Sequence, residues 1–166
     1  MRGIVTWWRV GVIACFVAMA LSARADDKAQ KIEPDKLPAK IKEAVKARFP
    51  GAEVTSAEKE KENGEIVYDL ELKHQGRKYE MDIKEDGTVM EIEKEIKDPP
   101  AAITKAIQAK YPGAKIKEVM EKDKVNGRQE TPSEYEVTLT TADGKSKEVD
   151  VSLDGSSVKE ESEEKK

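Results

Sequence analysis

The amino-acid sequence predicts an α+β fold: two repeats, each one helix plus a four-stranded antiparallel meander, packed together as one extended curved sheet. Three observations predict it. Leu37–Val54 laid over Pro99–Ile116 at an offset of 62 gives eight identities in 18 positions. Each copy opens on apolar residues at helical spacing and continues into runs that alternate apolar and polar residues. Turn dipeptides ending in glycine separate these runs, and with the two Pro-Gly-Ala segments they account for all eight glycines after residue 25.

The elements follow in order. Residues 1–25 read as a secretory signal peptide, with Arg2 and Arg9 ahead of an apolar run Val10–Leu21 and a small-x-small site at Ala23-Arg24-Ala25. That run is too short for a membrane span, which needs about 20 residues as a helix. Val12-Ile13-Ala14-Cys15 offers a competing reading, lipidation of Cys15, but the apolar run continues past it to Leu21. The location implied is periplasmic or secreted, without stable membrane insertion after cleavage. Residues 26–36 are charged and expected to be a flexible segment, as is the tail 161–166.

Repeat 1 spans 37–97. Leu37, Ile41, Ala44, Val45 and Phe49 form one stripe of a helix that Pro50-Gly51 ends. Ile66, Tyr68, Leu70 and Leu72 then alternate with polar residues, as do Tyr79, Met81 and Ile83, and then Met90 and Ile92. Asn63-Gly64, Gln75-Gly76 and Asp86-Gly87 lie between them, and Asn-Gly and Asp-Gly favour type I′ hairpins. Repeat 2 spans 98–160 with the same plan: Ile103, Ala106, Ile107 and Tyr111, then strands through Tyr135, Val137, Leu139, Val149, Val151 and Val158. It carries extra residues around Thr131-Pro132-Ser133.

Composition excludes several chemistries. The 166-residue chain has 39% charged residues and a formal net charge of −4. Residues 1–25 hold three arginines and no acid, so the rest carries 27 basic against 34 acidic side chains, a net charge of −7. Past the leader there is no Trp or Cys and a single His, so disulfide, thiolate, Cys/His zinc and Fe–S chemistry lack their ligands. Nucleic-acid binding lacks a basic stripe and stacking aromatics. No cofactor is implied.

The motifs Tyr111-Pro112-Gly113-Ala114, Tyr135-Glu136-Val137-Thr138-Leu139, Glu148-Val149-Asp150-Val151 and Asp154-Gly155 resemble the PepSY-like family of periplasmic domains, compared with the beta-lactamase inhibitor protein. The likeness covers residues 37–160. It implies two small α/β units forming a curved sheet, a secreted location, and binding or inhibition without catalysis.

His74, in Lys73-His74-Gln75-Gly76, has no partnered nucleophile and reads as a solvated turn residue. Glu71, Glu80 and Asp82 share the polar face of the first copy, and Glu136, Thr138, Glu148 and Asp150 that of the second. Lysines interleave with them, the ordinary decoration of an exposed sheet. Asp82-x-x-x-Asp86-Gly87 and Asp150-x-x-x-Asp154-Gly155 lack the spacing and distal Glu of a calcium loop. The reading is a non-enzymatic module that contacts an envelope or secreted protein, with Glu71, Glu80, Asp82, Thr138, Glu148 and Asp150 as the candidate contact face. The alternatives are an inhibitor of a secreted hydrolase (beta-lactamase or metallopeptidase) and an acidic divalent-ion or solute binder.

Overall fold

The computed structural model describes residues 29–160. The signal peptide, the lipidation alternative at Cys15 and the tail 161–166 lie outside the described residues. Nine antiparallel strands follow chain order across one sheet. They are β1 (Gln30–Lys31), β2 (Glu53–Glu62), β3 (Glu65–His74), β4 (Arg77–Lys84), β5 (Val89–Glu95), β6 (Lys115–Asn126), β7 (Gln129–Thr140), β8 (Ser146–Ser152) and β9 (Val158–Glu160). Two ten-residue helices, α1 (Ala39–Arg48) and α2 (Ala101–Lys110), interrupt them, after a 3-10 turn at Pro34–Lys36.

This corrects the expected fold class. The architecture is a single nine-stranded sheet, mostly β, and not two repeats of a helix plus a four-stranded meander. The reason is the pairing of β5 with β6, Glu91↔Lys124 through Glu95↔Met120, which merges the halves into one hydrogen-bonded ladder. A ninth strand comes from Gln30–Lys31, in the segment read as flexible, which pairs with Lys59 and Glu58 of β2.

Both helices begin on a proline in extended conformation, Pro38 and Pro100, whose carbonyls take the first helical N–H groups. They end alike: the N–H of Phe49 donates to Val45 O and that of Tyr111 to Ile107 O, each at 2.7 Å. Each buries two residues, Ile41 and Val45 or Ile103 and Ile107, against its own part of the sheet. The first cluster includes Tyr68, Leu70, Leu72, Met81, Ile83 and Ile92; the second includes Val119, Tyr135, Val137, Leu139, Val149 and Val151. Full burial of one such aliphatic side chain stabilises by about 1.5–3 kcal/mol.

A polar seam lies between the clusters. Lys94 Nζ is 2.6 Å from Glu121 and 3.0 Å from Asp123, and the Tyr135 hydroxyl donates to Glu121 at 3.2 Å. The cross-strand partnership of Lys94 with Glu121 sets up this contact.

The turns divide by type. Asn63-Gly64 and Gln75-Gly76 have positive φ at both residues, as a type I′ hairpin requires. Asp86-Gly87 and Asp154-Gly155 do not, which corrects the type I′ expectation there. In each only the glycine is left-handed, and the aspartate accepts an N–H two residues on, from Thr88 or Ser156. Gly155 also has a packing reason: a Cβ there would lie 2.8 Å from the carbonyl oxygen of Ala102, in the first turn of α2.

The β6–β7 hairpin is the longest, twelve residues a side, and is bent by a register shift between Lys122 and Asp123, where Pro132 enters the pairing. Its tip reaches the other half of the molecule. Arg48, at the end of α1, donates to the Glu130 carboxylate and to the carbonyl of Gly127, and Val125 packs against the first cluster.

Candidate functional site

Strand alternation sends every second side chain to the face opposite the helices. There the sheet forms an open trough of about 1840 Å³, lined by thirteen carboxylates and five lysines, with no aromatic side chain among the described lining residues. Cross-strand register orders its floor. One row runs Glu58–Asp69–Asp82–Glu91 over β2 to β5 and meets Lys124 on β6. The next runs Glu71–Glu80–Glu93–Lys122 over β3 to β6.

The first row is four carboxylates in succession. Burial, then the charge of Glu80 and of Glu60 and Glu58 on β2, pushes the Asp69 carboxyl up to about 7. Burial, then the facing Asp69 and Glu91, pushes Asp82 up to about 8. Burial also raises Glu91, against the opposing pull of Lys122 and Lys124. Asp69 and Asp82 have no hydrogen-bond or ion-pair partner among the described residues.

The second row ends on a bound lysine. Lys122 is 3.1 Å from both Glu136 and Asp150 and 3.7 Å from Glu93, and its side chain is only 8% exposed. These carboxylates raise its pKa and hold it charged, outweighing the opposing effect of burial. Burial and the charge of Glu136 in turn raise Glu93, whose Oε2 is buried without a hydrogen-bond partner. Nearer the rim, Lys78 bridges Glu80 at 2.7 Å and Glu118 at 3.1 Å.

The six residues singled out from sequence all stand on this face, in separate places. Glu71 and Glu80 are direct partners, and Asp82 belongs to the acidic row. Thr138 faces Glu148 toward the far end of the trough. Asp150 faces Glu136 and grips Lys122. The central residues Asp69, Glu91, Glu93 and Lys122 were missed. Glu91 and Glu93 alternate with Met90 and Ile92, which was a usable signal; Lys122 sits in a mixed-charge run that gives none. His74 lies elsewhere, its ring 5.6 Å from Phe49 and 6.4 Å from Tyr79.

Among the described residues no group of three or more His, Cys, Asp or Glu side chains is arranged to hold a metal ion. No described helix is long and apolar enough to cross a membrane.

Comparison with known proteins bears out the resemblance. A family model described as “Peptidase propeptide and YPEB domain” matches residues 38–93. A second, described as “Putative beta-lactamase-inhibitor-like, PepSY-like”, matches residues 68–157. No curated protein matches in sequence. Among solved structures, a DUF2874 family protein from Bacteroides uniformis aligns with TM-score 0.55 and 14% identity, over 75% of this chain and 89% of that one. A chain from Bacteroides eggerthii, described among “putative periplasmic proteins”, aligns with TM-score 0.53 and 13% identity, over 74% and 88%. A DUF2874 family protein from Bacteroides ovatus aligns with TM-score 0.51 and 9% identity, over 74% and 86%. These show a shared fold. With a family model spanning more than half of its length, the chain belongs to the PepSY-like family.

Proposed function

We propose that the protein is a non-catalytic binding module of the periplasm or secreted space, and that it holds a protein partner in the acidic trough. One observation carries this reading: Asp69 and Asp82 stand opposite each other, flanked by Glu58 and Glu91, with no counter-ion of their own. A sheet face built only for solvation places opposite charges across from each other, because like pairs destabilise. A row of acids without basic partners is complementary to a basic surface, whose approach favours their ionised form. The leader supplies the location, and the family supplies the expectation of binding without catalysis.

The test is capture from the native envelope fraction by the exported protein, compared with an Asp69→Asn/Asp82→Asn/Glu71→Gln/Glu80→Gln variant, at low and near-physiological salt. The reading expects partners retained by the parent at both salts and lost by the variant. Equal capture by the two would remove the trough as the contact face.

The family description suggests a narrower reading, inhibition of a secreted hydrolase. The trough does not favour it, since its lining lacks the aromatic and arginine anchors that dominate tight interfaces.

A further inference from the structure

The two halves of the sheet carry the same helix and differ at its end. Beside α1, Val45, Phe49, Ala52 and Val54 line an open slot of about 320 Å³, with Lys42 and Lys46 at its mouth. At the offset of 62, the second half has Ile107, Tyr111, Ala114 and Ile116 in these places, with Thr104 and Gln108 for the two lysines. There a side chain ties the helix to the strand that follows: Gln108 Nε2 donates to the Ala114 carbonyl at 2.9 Å, and Ala114 is only 6% exposed. A Cβ at Gly113 would lie 3.6 Å from that of Ala142, whereas one at Gly51 would meet nothing within 4 Å. The first half thus keeps open, between two ammonium groups, what the second half draws shut.

Another difference between the halves runs the opposite way. The turn between β8 and β9 carries Leu153, the one exposed large apolar side chain among the described residues. Its counterpart in the first half, one position before the Asp-Gly pair, is Glu85. The turn has a fixed shape. Asp154 accepts from the Ser152 hydroxyl at 2.8 Å and from the Ser156 N–H at 2.9 Å, and Gly155 sits against the first turn of α2. Leu153 is therefore presented beside a carboxylate, on the half that lacks the slot.

We propose that these two features meet between copies of the chain: Leu153 of one molecule enters the α1 slot of the next, with Asp154 set against Lys42 and Lys46. The charges match. Helix α1 carries four bases and a single acid, in a chain whose residues after 25 have a net charge of −7. Lys46 has no ion-pair partner among the described residues, and Lys42, which donates to the Asp35 carbonyl, retains further N–H donors. Knob and hole lie in opposite halves, so the contact is heterologous, and copies add head to tail without closing. One buried side chain covers far less than the roughly 1,200 Å² of a stable interface, so the association is weak and grows with concentration. It makes no use of the trough and is independent of the partner proposed there.

The test is a dilution series of the exported protein followed by backbone amide NMR, from about 2 mM to about 0.05 mM at low salt. Amides around Gly51 and around Leu153 are expected to shift together with concentration, while those around Gly113 stay in place. Two variants separate the parts: Leu153→Glu, and Lys42→Thr/Lys46→Gln. Both change exposed positions to the residue types found in the other half, so both keep the fold, which the same spectra check. Each alone is expected to weaken self-association at least about tenfold, the effect of losing one buried leucine or its rim. Mixed, they are expected to restore the contact once, because one keeps the slot and the other keeps Leu153; sedimentation then reads a dimer and nothing larger. Shifts independent of concentration, self-association unchanged by either variant, or a mixture that associates no better than its parts would overturn the inference.

Discussion

Asp69 of β3 and Asp82 of β4 are direct cross-strand partners, both half-buried, with acids on either side of them and no base of their own. Like charges directly opposite on a sheet destabilise by about 0.2–1 kcal/mol even when exposed. Burial increases that cost, and the fold tolerates it because the opposite face of the same strands carries Leu70, Leu72, Met81 and Ile83 in the core.

The pair makes stability depend on pH in a direction opposite to that of a salt-bridged acid. The folded-state values, about 7 and about 8, lie above the ordinary 3.8, so between these limits the folded chain binds more protons than the unfolded one. Stability contributed by the pair is therefore present below about pH 4 and is lost as pH rises toward 8. Asp69→Asn/Asp82→Asn is expected to stabilise the protein by on the order of 2 kcal/mol at pH 8 and by little at pH 5. Urea midpoints of the two proteins at both pH values check this; a variant less stable at pH 8 would refute it.

Lys122 holds carboxylates from both halves of the sheet, Glu93 on β5, Glu136 on β7 and Asp150 on β8. Lys122→Met is expected to cost about 2–4 kcal/mol at pH 8, since three acids are left facing one another. The loss should shrink at pH 5, where Glu93, whose carboxyl is already raised by burial and the charge of Glu136, takes up a proton. Denaturation at the two pH values reads the difference, and a cost independent of pH would argue against the ion cluster.

Gly155 and Gly144 separate backbone strain from packing. Both are left-handed, at φ +72° and +86°, but only Gly155 would place a Cβ against backbone, the Ala102 carbonyl. Gly144→Ala is expected to cost about 1 kcal/mol and Gly155→Ala about 2–4, with α2 displaced. Thermal melts of the two variants would show equal losses if the contact with α2 were unimportant.

The reach of the β6–β7 tip to Arg48 predicts a local effect. Arg48→Ala is expected to lower global stability by only about 0.5–1 kcal/mol, because Glu130 is exposed and solvent screens the pair. Amide exchange at residues 126–129 should rise clearly more than that of β8. Unchanged exchange at the tip would mean that strand pairing alone holds the hairpin.

Much of the local architecture was legible in the residues. The helical stripe of Ile41 and Val45, repeated by Ile103 and Ile107, names the buried positions of both helices. Alternation assigned most strand faces, including the burial of Tyr68 and Tyr135, but a bulge in the β4–β5 pairing puts Val89 on the core and Met90 along the trough; Tyr79 and Tyr111, near element ends, are only partly covered. These signals are short-range, because they follow from 3.6- and 2-residue periods and from the conformations open to proline and glycine.

By itself, then, the sequence determined the family, the helices, the faces of the strands and the acidic character of one of them. Tertiary structure decided what lies between those elements. No periodicity states that β5 pairs with β6 in this register or that Gln30–Lys31 adds a strand, so the expected two four-stranded repeats are one continuous nine-stranded ladder. Nor does any local pattern bring Lys122 to Asp150, align four carboxylates from four strands, or carry Glu130 across to Arg48, 82 residues away. Those relationships depend on cross-strand register and on a bulge near Lys122, which are set by how the whole sheet packs on its two helices.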